Sequence, residues 1–214
     1  MKKVRIIMAI LVLLGMASLA EAQIVVSQTT VSTTRVYEKS GREKGFVIRP
    51  ELGTGFSIMY KGGFMVEPTL TGVYQFNPYF SIGAGFGVTH IMNDNSGMTA
   101  IPVYANLRAY FCDRKWSPFF DLKVGFNFPV KEYQKTDYYY GGSYSIDGVS
   151  VEGSMIQGTL GMQYKHFDFG FTYGMFNHYD KYYHYDNYGQ LEYSDFHSTF
   201  GIKLLLSVAY NFQL

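Results

Sequence analysis

The chain has 214 residues, with 18 Lys and Arg against 17 Asp and Glu, a formal net charge of +1. So even a balance gives no electrostatic reason to expect nucleic acid or a strongly acidic partner. Charged residues make up 16% and aromatics 18%, where ordinary soluble domains carry about 25% charge, and the one cysteine, Cys112, excludes an internal disulfide.

Taken from the N-terminus, Lys2, Lys3 and Arg5 precede an apolar core, Ile6 to Leu14, and a small-x-small site, Ala20-Glu21-Ala22. This is the pattern of a secretory signal peptide over residues 1–22. Residues 23–44 are rich in Thr, Ser and charge and are expected to form a periplasmic N-terminal tail, an appended strand being the alternative. After the signal, no apolar stretch is long enough for a spanning helix, so any membrane crossing must use strands.

From residue 45 the apolar residues recur with period two, the spacing that sends alternate side chains to opposite faces of a strand. The expected strands are Phe46–Ile58, Phe64–Phe76, Phe80–His90, Ile101–Phe111, Phe120–Phe128, Ser154–Tyr164, Phe167–Met175 and Phe200–Leu214. Each is close to the 9–11 residues or so that a tilted bilayer-spanning strand needs. The last is the clearest: Phe200, Ile202, Leu204, Leu206, Val208, Tyr210, Phe212 and Leu214 alternate with small or polar residues and Lys203. Pro50 and Pro68 fall within strands and are expected to mark bulges, or strand limits that differ by a few residues.

Connections alternate in length. Asn77-Pro78-Tyr79, Cys112 to Phe119 and Lys165-His166 are short. Ile91 to Ala100, Pro129 to Gly153 and Phe176 to Thr199 are longer, and only Met59 to Gly63 on that side is tight. Short turns on one rim and long loops on the other are the asymmetry of outer-membrane barrels.

By this pattern and topology, residues 45–214 resemble the small eight-stranded outer-membrane β-barrel proteins, of the OmpA/OmpX-like or porin-family type. The resemblance implies an all-β, antiparallel, up-and-down transmembrane β-barrel in the outer membrane of a Gram-negative cell. It also implies outer-membrane lipid and the barrel assembly machinery as partners. Such barrels often end on Phe, whereas here Phe212 is followed by Gln213 and Leu214.

Arg49, Glu51, Glu67, Arg108, Asp121, Lys123, Asp168 and Lys203 all fall on the row opposite the apolar one, four of each sign. Eight strands enclose only enough space for side chains to fill, so these charges are expected to interlock as ion pairs, Arg108 with Asp121 first among them. The remainder of that row is mostly small and polar. Gly83, Gly85 and Gly87 are expected to leave room for long Arg and Lys side chains. The same glycines invite a nucleotide-binding reading, which needs a strand–turn–helix context that is absent.

The two longest loops are rich in tyrosine, including Tyr138, Tyr139, Tyr140, Tyr182, Tyr183 and Tyr185. Tyrosine suits both a recognition surface and a membrane–water collar. His178, Asp180, His184, Asp186, Glu192, Asp195 and His197 share the last loop, but their spacing matches no compact metal motif, and a solvated polar loop explains them better. No cofactor or metal is expected, and no catalytic residue is assigned. The expected function is that of a non-enzymatic barrel whose loops serve binding, adhesion or envelope stability, with an extracellular ligand or surface partner. The alternatives are a lipid-modifying rim enzyme using His90 with Asp94 and Ser96, a small-solute channel, and a soluble exported barrel. The last would clothe its outside in Lys and Glu, which the sparsely charged row does not supply.

Overall fold

The computed structural model describes residues 39–58, 63–92, 97–138, 144–186 and 188–214. The expected signal segment, residues 23–38 of the expected tail, Asp94, Ser96, Tyr139 and Tyr140 lie outside the described residues. The strands are β1 (Gly45–Ile58), β2 (Phe64–Asn77), β3 (Phe80–Gly87), β4 (Thr89–Met92), β5 (Gly97–Tyr110), β6 (Trp116–Lys131), β7 (Tyr133–Tyr138), β8 (Tyr144–Tyr164), β9 (Phe167–Tyr185), β10 (Leu191–Tyr210) and β11 (Phe212–Gln213).

Every pairing is antiparallel, and β1 pairs with β10 and β11 as well as β2, which closes the sheet. Counting β3 with β4 and β10 with β11, the wall is an up-and-down barrel of eight strands, and β7 pairs with β8 outside this ring. The apolar rows face outward: Phe56 is 63% exposed, Leu160 62% and Leu206 67%. The opposite rows fill the lumen, where Arg49, Arg108 and Lys203 are 1–2% exposed.

Pro50 and Pro68 mark altered strand limits and not bulges. Thr69 faces Gly87 and Val66 faces His90 in one continuing register, although the ladder lapses at Val88 between them. Val88 gives its N–H to the Pro68 carbonyl at 2.9 Å, but Pro68 has no N–H to return, so half of that rung is missing. Pro102 stands opposite Gly87 on the β5 side, where pairing lapses for the same reason. Thus β3 and β4 are one wall strand with a gap. Pro50 similarly separates β10 from β11, the register running on from Glu51↔Ala209 to Ile48↔Phe212. True register shifts lie elsewhere, at Gln75/Asn77, Thr99/Ala100, Val151/Met155 and Leu191/Tyr193.

The segments expected as long loops are mostly strand. Above Asn127↔Gly153, β6 parts from β8 and β7 takes its place, pairing Tyr133↔Val149 through Tyr138↔Tyr144. β9 and β10 stay paired up to Tyr185↔Leu191. The result is a four-stranded ribbon, β7–β8–β9–β10, rising from one side of the mouth. Its tip is a tight turn: Asp186 Oδ1 accepts the N–H groups of Tyr188 (2.9 Å) and Gln190 (2.8 Å). Gly189, at φ 76°, takes a left-handed conformation that suits glycine.

Candidate functional site

Beside the short-turn rim, β1, β5, β6 and β9 bring Arg49, Arg108, Asp121 and Asp168 together inside the barrel. Arg108 donates from Nε to Asp121 at 2.6 Å and from Nη1 to Asp168. Arg49 donates to the Asn211 side chain at 2.7 Å and lies 3.7 Å from Asp121 and 3.6 Å from Asp168. Asn106 adds a hydrogen bond to Asp121. Below the guanidinium of Arg108 lies the Phe119 ring, 4.0 Å from carbon to centroid. Two cations and two carboxylates make this tetrad neutral, which limits the desolvation cost of burying all four.

Further toward the mouth lie two separate pairs. Lys123 reaches Glu51 at 2.9 Å, and Lys203 reaches Glu67 at 2.5 Å. Glu67 also accepts from Thr89 (2.7 Å) and Gln157 (3.1 Å), so both its oxygens are used. All eight charges identified from the sequence therefore face the lumen, in one tetrad and two pairs. The glycine row of β3 does not make room for Arg or Lys. A Cβ on Gly85 would come within 2.8 Å of the Tyr104 ring, and one on Gly83 within 2.7 Å of Val73. It is Tyr104 that uses the space, its hydroxyl bonded to Thr71 at 2.8 Å.

The outer half of the lumen departs from the expected small and polar row. Met65, Ile91, Met98, Met155, Phe176 and Leu205 are buried together there with Tyr104. The lumen is thus closed by the tetrad beside the short-turn rim and, toward the mouth, by the two ion pairs together with these apolar side chains.

Sequence reasoning also missed Arg42. Residues 39–44 form no strand; they cross the short-turn rim, and Arg42 points into it. Its Nε donates to the Pro78 carbonyl (2.8 Å) and Nη2 to the Cys112 carbonyl (2.5 Å), while Nη1 reaches Gln163. The guanidinium also lies 4.1 Å over the Tyr110 ring, and Ser40 bonds Asp113. One side chain thereby ties together the ends of β2, β5 and β8. Burial lowers the Arg42 pKa, the nearby Tyr110 and Asp113 opposing it. A lone arginine in a polar tail gives no pattern from which this could have been read.

Alternation divides the ribbon's aromatics between two faces. Tyr144 stacks on Tyr185 at 4.7 Å, with Tyr138 at 6.0 Å from Tyr144, and Tyr183 meets Phe196 edge-on at 5.7 Å. These lie on the face continuous with the outside of the wall. Tyr182 lies on the other face, with His178, Asp180 and His184, because β9 residues of that parity face the lumen. Tyr182 and His184 line a cavity of about 210 Å³ with Asp137, Asp147 and Tyr193. Of the four described tyrosines singled out from the sequence, Tyr138, Tyr183 and Tyr185 thus share one face and Tyr182 lies on the other.

Three His–carboxylate contacts run along β9 and β10: His178–Asp180 (3.8 Å), His184–Glu192 (3.4 Å) and His197–Asp195 (3.5 Å). Among the described residues, no group of three or more His, Cys, Asp or Glu is arranged to hold a metal ion. His90 donates to or accepts from its cross-strand partner Thr99 at 2.9 Å. The Asp94 and Ser96 named with it lie outside the described residues.

A closed ring of eight antiparallel strands, apolar outside and ion-paired inside, is the architecture of the transmembrane β-barrels. No protein-family model matches the chain, and no curated protein matches it significantly. Among solved structures, the chain is similar to Neisserial surface protein A, at 13% identity and a TM-score of 0.46, over 78% of this chain and 97% of that one. The architecture described above stands on its own strand pairing and burial.

Proposed function

We propose that this chain is a non-enzymatic integral protein of the cell outer membrane, a sealed barrel that holds the β7–β10 ribbon outside the cell as a binding surface. The observation that carries the proposal is the inside-out distribution of side chains. Eight ionisable groups line the lumen, while Phe, Leu, Ile and Val cover the outside of the wall. In water such an exterior would aggregate. In a bilayer it is the favourable arrangement, since a single Lys or Arg on the lipid side near midplane would cost about 2–4 kcal/mol. The filled lumen favours a scaffold over a channel. In this proposal residues 1–22 are the export signal, outer-membrane lipid surrounds the wall, and the barrel assembly machinery inserts it.

The test is fractionation with gel electrophoresis. The proposal expects recovery in the outer-membrane fraction and a band whose mobility changes on boiling. Recovery as a soluble periplasmic protein would overturn it. Planar-bilayer recordings of the purified barrel are expected to show no steady conductance.

A further inference from the structure

Among the described residues, β10 above the wall has a neighbour on one side only. β9 pairs with it along its whole length, whereas β1 reaches only Ile58↔Ile202. Among the described residues nothing pairs with the other side of residues 191–200, and all ten are exposed. An edge of this length is a template for strand addition.

The direction of its backbone groups can be worked out. Antiparallel bonding alternates along a strand. Asn211 gives its N–H to His166, on the β9 side, at 2.8 Å. No register shift intervenes up to Tyr193, so the odd residues Tyr193, Asp195, His197 and Thr199 bond to β9. The even residues Ser194, Phe196, Ser198 and Phe200 turn their N–H and C=O groups outward. Phe196 agrees: its N–H is taken by the neighbouring Asp195 carboxylate at 2.9 Å, a local substitute for a strand partner.

Natural edges are protected by charged side chains, lysine above all, by proline or by bulges. The charges on this one, Glu192 and Asp195, are both negative, so they repel an acidic strand and not a cationic one. Residues 191–200, LEYSDFHSTF, contain neither lysine nor proline, and the one register shift lies at the very top. On one face the edge shows Phe196 and Phe200, 55% and 69% exposed. On the other it shows Tyr193, Asp195, His197 and Thr199, beside Asp180 and Asp147 on the neighbouring strands. Carboxylates on this face are interleaved with His178, His184 and His197, and β9 and β10 bring it positive charge only when those imidazoles protonate.

We infer that the free edge of β10 accepts an extended segment of a partner polypeptide as an added strand, one that alternates cationic with apolar side chains. This rests on the proposal that the ribbon faces the cell exterior. Backbone hydrogen bonds would supply affinity, and the acidic and aromatic faces would supply selectivity. Two other occupants fit less well. A second copy in the same membrane runs its β10 in the same direction, so antiparallel pairing with itself is closed to it. Residues 39–44 lie at the opposite rim, which this proposal puts on the far side of the membrane.

The experiment is amide hydrogen exchange on the full refolded barrel in a bilayer mimic. The probe is a synthetic decapeptide alternating Lys and Val, with a twin N-methylated at alternate residues. The peptide is expected to slow exchange at Ser194, Phe196 and Ser198 by about tenfold or more, leaving Tyr193, Asp195 and His197 as they were. The N-methylated twin is expected to give no protection. Ser198→Pro removes one outward donor and no bond to β9, so it is expected to keep the heat-modifiable barrel and lose peptide binding. Equal binding by the twin, or by the Ser198→Pro barrel, would reduce the effect to charge attraction and overturn the inference. So would unchanged exchange at saturating peptide, or protection that rises with barrel concentration alone, which would mark a second copy. If fractionation instead found the protein soluble, the outer-membrane proposal would fail while this measurement on the refolded barrel could still succeed.

Discussion

The inner half of the lumen and the outer ribbon are built from the same antiparallel ladder, yet they treat charge in opposite ways. Inside, Arg49, Arg108, Asp121 and Asp168 are almost fully buried and share partners, so none can be removed without stranding another. On the ribbon, Lys135 and Asp137 meet at 2.7 Å with about half of each side chain in solvent. The contrast teaches that an ion pair here has two uses. In the lumen it fixes the wall from within, and on the ribbon it lies at a solvated surface.

The largest effect is expected from breaking the tetrad. Asp121→Ala leaves Arg108 and Arg49 short of a buried carboxylate, which is expected to cost about 3–5 kcal/mol. The urea midpoint of the refolded barrel measures it. Asp137→Ala, on the ribbon, is expected to leave that midpoint where it was, as exposed pairs contribute little. Equal losses for the two would erase the contrast.

A smaller effect is expected at Arg42. Arg42→Ala gives up hydrogen bonds to three strand ends, an expected loss of about 1–3 kcal/mol. Cys112, the one cysteine, supplies a local reporter, since its carbonyl accepts from Arg42. Maleimide labelling of Cys112 is expected to speed up several-fold in Arg42→Ala, and by less in Arg42→Lys. Unchanged labelling would show that residues 39–44 do not hold the rim.

On the ribbon the expected effects depend on pH. Burial holds the His178 imidazole below its ordinary value, and Asp180 only partly opposes this. The fold therefore favours neutral His178. Its stabilising effect is complete above the ordinary histidine value and declines as pH falls through about 6.5 toward the lowered folded value. Proteolysis at the ribbon tip is expected to quicken over that interval in wild type and not in His178→Gln. Lys181 behaves in the opposite sense. Burial lowers its pKa, but the hydrogen bond and charge of Glu132, at 2.5 Å, outweigh it and the value is raised. That clamp between the β6–β7 connection and β9 is expected to persist at neutral pH and to loosen only as pH rises past about 10.5 and through the raised value.

The wall was legible in the sequence because a bilayer outside and a polar lumen inside impose opposite demands on alternate residues. Phe200 to Leu214 shows this most plainly. The ribbon was not legible because, above its buried base at Tyr133, Val149 and Val151, neither face is dry: Tyr182 and Tyr183 point opposite ways and both are partly exposed, so period two leaves no hydropathy signal there. The outer lumen was obscured differently. Met65 and Ile91 face inward between outward Phe64 and Met92, so both rows are apolar there. Pro50 and Pro68 gave correct warning of a disturbed ladder, and of its two expected forms the altered strand limit is the one present. Pro68 and Pro102 remove donors while leaving the register intact, which a closed barrel tolerates at the cost of a half-made rung.

The inside-out wall is the central claim, and the chain carries one native probe of it. Trp116, the single tryptophan, is 56% exposed on the outside of β6 at the short-turn rim, packed against Tyr164 at 4.3 Å. The decisive measurement is quenching of its fluorescence in bilayers whose lipid chains carry bromine at graded depths. A lipid-facing wall with Trp116 at the interface predicts strong quenching, greatest for bromine near the headgroups. Emission that no brominated lipid quenches would contradict an outward-facing apolar wall in contact with the bilayer.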